Sequence, residues 1–214
     1  MQMTERGLLA LAGHEGVVPA PYRDSTGTWT FGIGHTAAAG APDPAQMARG
    51  MPADLDEGVG ETFRIFREDL ATYEAEVRAA VAVPLAPHEF DALVSFHYNT
   101  GGIARAALTR HLNAGDREAA ARAFLNWRRP AEIIPRREAE RDLFRHGSYP
   151  GGPIPVWSAN PAGGVDFSRP VRRLAESEAL ALLQPATPDV PVTPPASGWL
   201  ARLAAFVSTL IRRA

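Results

Sequence analysis

Two carboxylates, Glu15 and Asp24, stand nine positions apart in the stretch HEGVVPAPYRDSTGTWTFGIGHT, residues 14–36. The preceding ERGLLALAG puts Leu8, Leu11 and Ala12 on one helical face, and Gly16 is a natural residue for the left-handed stop that closes such a helix. Glu15 then sits at a helix C-terminus. The partial negative charge of the backbone dipole there, with burial, should raise its pKa and suit it to a general acid. Asp24 falls between Tyr22-Arg23 and Ser25-Thr26-Gly27, a turn whose polar groups should keep it ionised, as a general base requires. The β-branched and aromatic residues from Thr28 to His35 predict a short hairpin strand, and Thr30, six positions after Asp24, can bring its hydroxyl back beside that carboxylate. Carboxylates whose pKa values are pushed apart are the machinery of glycoside hydrolysis: one protonates the leaving oxygen, the other activates water or attacks carbon. On residue types alone, the commoner explanation is a solvated turn and a helix-end ion pair.

Taken together, Glu15, Tyr22-x-Asp24 and Gly27-x-Trp29-Thr30-x-Gly32-x-Gly34-His35-Thr36 resemble the active-site segment of the bacteriophage-type lysozymes, glycoside hydrolase family 24. The resemblance runs from about Thr4 to Gly147. It implies an α+β, mostly helical, lysozyme-like fold of two lobes: a small β-hairpin lobe, a connecting helix and a helical lobe. It also implies hydrolysis of the β-1,4 bond between N-acetylmuramic acid and N-acetylglucosamine in peptidoglycan. Glu15 would be the acid, Asp24 the base, and Thr30 a helper that holds the attacking water. The run FDALVSFHYNTGG resembles a second family block, in which Asn99 and Gly101 line the cleft and bind sugar with Tyr98 nearby; core packing for Tyr98 and helix capping for Asn99 stay open. In the closing block RRPAEIIPRREAERDLFRHG, an arginine of the pair Arg136-Arg137 would sit near the acid and oppose the dipole. Without the resemblance, Arg136, Arg137, Glu138, Glu140 and Arg141 would be a solvated helix face with i,i+4 pairing.

The elements that must position these residues follow from periodicity. Residues 37–58 are rich in Gly, Pro and Ala and read as a long surface loop. Apolar residues at Phe63, Phe66, Leu70, Tyr73, Val77 and Val81 predict a helix from Val59, the connecting helix of the resemblance. Pro84 and Pro87 break it, and helices are expected over His88–Asn99, Leu108–Asn113 and the run REAAARAFLNW. Residues 1–147 form the catalytic domain in this reading, and 148–183 a Pro/Gly-rich extension with a short helix from Arg172 to Leu183. Residues 184–198 are then a proline-rich linker and 199–214 an amphipathic, basic helix suited to a membrane surface or a protein partner. A fold back onto the body is the equal alternative for that last helix.

Composition narrows the classes. The 214 residues carry a formal charge of −2, which gives no field for nucleic acid. Every one of the 22 Lys and Arg residues is Arg, a compositional bias, and cysteine is absent, so disulfides and thiol chemistry are excluded. His88-Glu89 lacks the following histidine of a zinc-protease helix, so neither a metal nor a cofactor is expected, and His35 should anchor the hairpin by hydrogen bonds. The apolar run Leu8 to Ala12 is too short and too charged around it for a signal peptide or a spanning helix. A protein made in the cytoplasm and acting on the wall in the periplasm would then need a route across the membrane, and the resemblance implies a holin pore. The rival readings are a lysozyme-like domain that binds peptidoglycan or another protein without cutting, and a lytic transglycosylase. Carboxyl groups roughly 6.5 to 9.5 Å apart would leave room for water and invert the anomeric centre, whereas about 5 to 5.5 Å would give a covalent intermediate; the resemblance favours inversion.

Overall fold

The structure is a computed structural model that describes residues 1–184. The expected linker beyond residue 184 and the helix at 199–214 lie outside the described residues. Helix α1, Glu5–Glu15, starts where the Thr4 hydroxyl accepts the Gly7 amide at 3.0 Å. It stops at Gly16, whose φ of 71° is open to glycine and closed to most other residues. Glu15 is therefore the last helical residue, as the glycine implied. Strands β1 (Val18–Arg23), β2 (Trp29–Gly32) and β3 (His35–Thr36) follow as an antiparallel sheet in chain order. Val18 to Tyr22 of β1, five residues, run against Thr30 to Gly32 of β2, three residues, so the first strand bulges midway.

Helix α2, Leu55–Ala80, begins four residues before the expected start at Val59. Asp54 caps it, accepting the amides of Asp56 and Glu57, while Gly58 and Gly60 dilute the helical pattern that periodicity looks for. Its buried stripe of Val59, Phe63, Phe66, Leu70 and Val77 packs between the sheet and the helices that follow. Helix α3, Pro87–Thr100, is buried from Glu89 to His97 and ends at Gly101 in left-handed geometry. Helices α4 (Ala107–Asn113) and α5 (Arg117–Ala123) pack on each other, and α5 tightens into a 3-10 turn over Phe124–Asn126 instead of running on to Trp127. Pro130, a few residues on, blocks a longer α-helix. Helix α6, Ile134–His146, lies along α3, and Phe90, Leu93, Phe96, Phe124 and Phe144 fill the helical core between them.

Residues 148–184 belong to the same compact unit. Strand β4 (Ile154–Val156) pairs with β7 (Arg172–Leu174), and β5 (Ser158–Ala159) pairs with β6 (Val165–Asp166). Helix α7, Glu176–Leu183, packs on α1 and α2. The helix expected from Arg172 thus starts at Glu176, because Arg172 to Leu174 are taken up in pairing with β4. The whole is α+β and mostly helical, with a small sheet lobe, a long connecting helix and a helical lobe.

Candidate active site

Glu15 leaves the end of α1 and meets α6 from the other lobe. Its Oε1 accepts from Arg136 Nη1 at 2.6 Å. Arg136 is buried and spends its remaining donors inward, on Glu140 Oε1 at 3.0 Å and on the Ser95 carbonyl at 3.2 Å. Ser95 returns the bond, its hydroxyl donating to the same Glu140 oxygen at 2.8 Å. Arg137 is fully buried, lies 2.8 Å from Glu140 Oε2 as an ion pair not aligned as a hydrogen bond, and donates to Asn99 Oδ1 at 2.6 Å. Burial pushes the Glu140 carboxyl up, and the two arginines pull against it. Two cations and two carboxylates thus share one buried cluster, and each charge has a partner.

Asp24 closes β1 at the hairpin tip. Its Oδ1 accepts from the Thr26 amide at 2.8 Å, the Thr26 hydroxyl at 2.7 Å and the Thr28 amide at 2.9 Å. Desolvation pushes this carboxyl up, but the bonds from the Thr26 hydroxyl and the Thr28, Thr26 and Gly27 amides together outweigh it and hold its pKa below the usual aspartate value. These bonds favour the ionised form of Asp24. Thr30 stands opposite Tyr22 in the strand register, buried, with its hydroxyl donating to the Thr28 carbonyl at 3.2 Å.

Tyr22, in β1, feels both carboxylates. Burial raises its phenol pKa, and the negative charges of Glu15 and then Asp24 raise it further, so both carboxylates bear on one hydroxyl; the Gly34 amide pulls the other way. From α3, the Tyr98 hydroxyl donates to the Ile33 carbonyl, and its ring packs on Phe66 and Tyr73, so the side chain joins the two lobes. Gly34 has a φ of 79°, which favours glycine, and a Cβ there would lie a tight 3.3 Å from the Tyr98 ring. Below the hairpin, His35 bonds Asp69 Oδ2 at 2.9 Å through Nδ1 and the Pro42 carbonyl at 2.8 Å through Nε2, tying β3 to α2. Gly101 lines a cavity of about 290 Å³ with Asp69, Tyr73, Glu76 and His97.

Comparison with known proteins fits this geometry. The phage lysozyme family matches residues 12–140. The endolysin of Salmonella phage P22 is 37% identical over 150 residues, which cover 67% of this chain and 98% of that protein. The chain belongs to the phage lysozyme family. Solved relatives share the fold of this lysozyme. The endolysin of Escherichia coli O157:H7 phage FAHEc1 matches with a TM-score of 0.60 at 28% identity, covering 71% of this chain and 98% of that one. A P22 lysozyme mutant matches with 0.55 at 32% identity, covering 67% and 98%.

The lysozyme fold brings Glu15, Arg136, Arg137 and Asn99 into one network through Glu140, and Asp24 stands in the turn after β1. Thr30 lies beside Tyr22 without a hydrogen bond to Asp24. Sequence reasoning gave no role to Ser95 and His14 and named Tyr22 only as part of the motif, and the solvated helix face it offered for Arg136, Arg137 and Glu140 is overturned, since all three are buried. Glu140 follows Arg136 and Arg137 at i+4 and i+3, a spacing visible in the sequence; its burial is not. His14 is pushed down to about 4, first by burial and then by Arg136 and Arg137, so it is neutral beside the acid. Among the described residues, no group of three His, Asp or Glu side chains is arranged to hold a metal ion.

Proposed function

We propose that this lysozyme is an endolysin muramidase that cuts the β-1,4 bond between N-acetylmuramic acid and N-acetylglucosamine with inversion. Glu15 acts as the acid, Asp24 as the base that orients and activates water, and Thr30 as the helper on that water. The observation that carries this reading is that two carboxyl groups stand at the two ends of β1, Glu15 on the last turn of α1 with one oxygen held by Arg136 and Asp24 in a turn whose amides bond its Oδ1. Arg136 fixes one oxygen of Glu15 and, among the described residues, Oε1 alone of that carboxyl accepts a hydrogen bond, so the second oxygen is available to the glycosidic oxygen. As the C–O bond breaks, Glu15 gives its proton to the leaving sugar. Asp24 takes a proton from the water that adds to the anomeric carbon, and its depressed pKa keeps it in the ionised form this step needs. Asn99, exposed at the end of α3 with its oxygen held by Arg137, offers its amide NH₂ to sugar, with Tyr98 and Gly101 close to it along the chain.

The enzyme works on the cell wall, and we read its place of action as the periplasm, reached through a holin pore. No helix among the described residues is long and apolar enough to cross a membrane. Purified protein on isolated sacculi tests the reading, with products weighed by mass spectrometry. Hydrolysis leaves reducing muramic acid ends, transglycosylation leaves anhydro ends, and simple binding leaves none. Glu15→Gln should lower turnover by about 10²–10⁴-fold, the usual weight of a general acid, and Asp24→Asn should do comparable damage. Full activity in either variant would remove that residue from the mechanism.

A further inference from the structure

The segment 148–184 lies past the family match, which ends at residue 140, and it touches the catalytic hairpin at two places. At the first, the Val17 amide donates to the Pro155 carbonyl at 3.0 Å and the Trp157 amide donates to the Val17 carbonyl at 2.7 Å. The Trp157 indole fills the space beside Gly16, where an added Cβ would lie 2.9 Å from its Nε1. Gly16 and Val17 come directly after Glu15. At the second, the Arg23 amide donates to the Gly163 carbonyl at 2.8 Å, and the Gly163 α-carbon is seated against Trp29 so closely that a Cβ would come within 2.7 Å of the ring. Arg23 comes directly before Asp24. Between the two contacts, Ala159 packs on Val18 and Ala20 of β1.

We propose that residues 155–164 are a positioning strap that sets the placement of the acid relative to the base, with Trp157 and Gly163 as its contact points. The inference rests on the assignment of Glu15 and Asp24 given above. β1 is the only covalent link between the two carboxylates along the hairpin edge, and it bulges between Val18 and Tyr22, where its pairing with β2 slips. A bulge bends its strand and interrupts the ladder, so pairing with β2 does not hold the stretch between Val18 and Tyr22. It is also an edge strand, with its outer amides free of the sheet, and the strap pairs those amides at Val17 and Arg23, one at each end of the bulge. The strap is itself held rigid. Asn160 Oδ1 accepts the amides of Ala162 and Gly164 at 2.9 and 3.1 Å, and the segment is anchored behind by the β4–β7 pair and by α7 on α1 and α2.

The test uses the full chain and measures kcat and KM on soluble peptidoglycan fragments. Gly163→Val pushes Trp29 and Arg23 away from the strap, and Trp157→Ala removes the buttress at Gly16. Leu183→Ala, in α7 and remote from β1, serves as a control that lowers stability from the same segment. Misplacement of reacting groups by about 1 Å costs up to about 10²-fold, so both strap variants should lose about ten-fold or more in kcat with KM within about two-fold, while Leu183→Ala keeps its kcat below its melting temperature. A folded Gly163→Val with wild-type kcat overturns the proposal, as does a loss of kcat that follows thermal stability equally in all three variants. If Gly163→Val does not fold, Trp157→Ala decides alone by the same criterion. An active Glu15→Gln would instead overturn the acid assignment, so the two failures are distinguishable.

Discussion

At the scale of single residues, the site separates two carboxylates by their surroundings. Asp24 draws its low pKa from hydrogen bonds supplied by its own turn, so removing one should be legible in a pH profile. Thr26→Val deletes the hydroxyl bond to Oδ1, which favours the charged form, so the pKa rises and the base becomes protonated at a higher pH. The acidic limb of kcat/KM should therefore move upward in pH, with the plateau retained. Arg136 serves two purposes, holding Glu15 and neutralising Glu140. Arg136→Ala leaves Glu140 buried with Arg137 as its remaining cation, and removing one partner from a buried pair costs about 3–5 kcal/mol. Chemical denaturation should record that loss together with reduced turnover; a stability change below about 1 kcal/mol would show that solvent replaces the guanidinium freely.

At the scale of elements, caps and close approaches fix where each chemical group emerges. The Gly16 stop leaves Glu15 on the final turn of α1, and the Tyr98 bond to Ile33 joins α3 to the hairpin that carries the base. Gly32, at a φ of 63°, allows β2 to press on α2, where a Cβ would lie 2.8 Å from the Thr62 methyl. The start of α2 depends on one side chain. Asp54→Ala removes an N-cap worth about 1 kcal/mol, which for a chain of this size lowers Tm by about 2–4 °C. Turnover should not change, because the Asp54 side chain bonds only the Asp56 and Glu57 amides at the start of α2 and neither carboxyl group of the site. Calorimetry and a lysis assay on the same sample check both halves of that statement.

At the scale of the molecule, the last described segment is part of the body. Ile154, Val156, Leu174, Ala179 and Leu183 are buried in the same core cluster as Leu11, Phe63 and Phe90. Thermal unfolding should therefore carry residues 148–184 along with the catalytic lobes in one transition. Leu174→Ala opens a cavity in that core at a cost of about 2–5 kcal/mol, and the single transition should shift down by roughly 5 °C or more. A separate low-temperature step, with the main transition unmoved, would mean that the segment unfolds alone.

The chemistry was legible in the sequence because it is local. The nine positions from Glu15 to Asp24, the Gly16 stop and the threonines of the turn set one carboxyl group at a helix end and another in a hydrogen-bonding loop, whatever packs around them. The helices were legible to within a few residues for the same reason, with errors where glycine diluted α2, proline cut short α5, and pairing with β4 claimed Arg172 to Leu174. Tertiary structure alone decided that Glu140 is buried between two arginines, that the Asn99 oxygen belongs to Arg137, and that Trp157 and Gly163 lie against the ends of β1. Those facts depend on which distant surfaces exclude water from each other, and spacing along a chain does not encode burial.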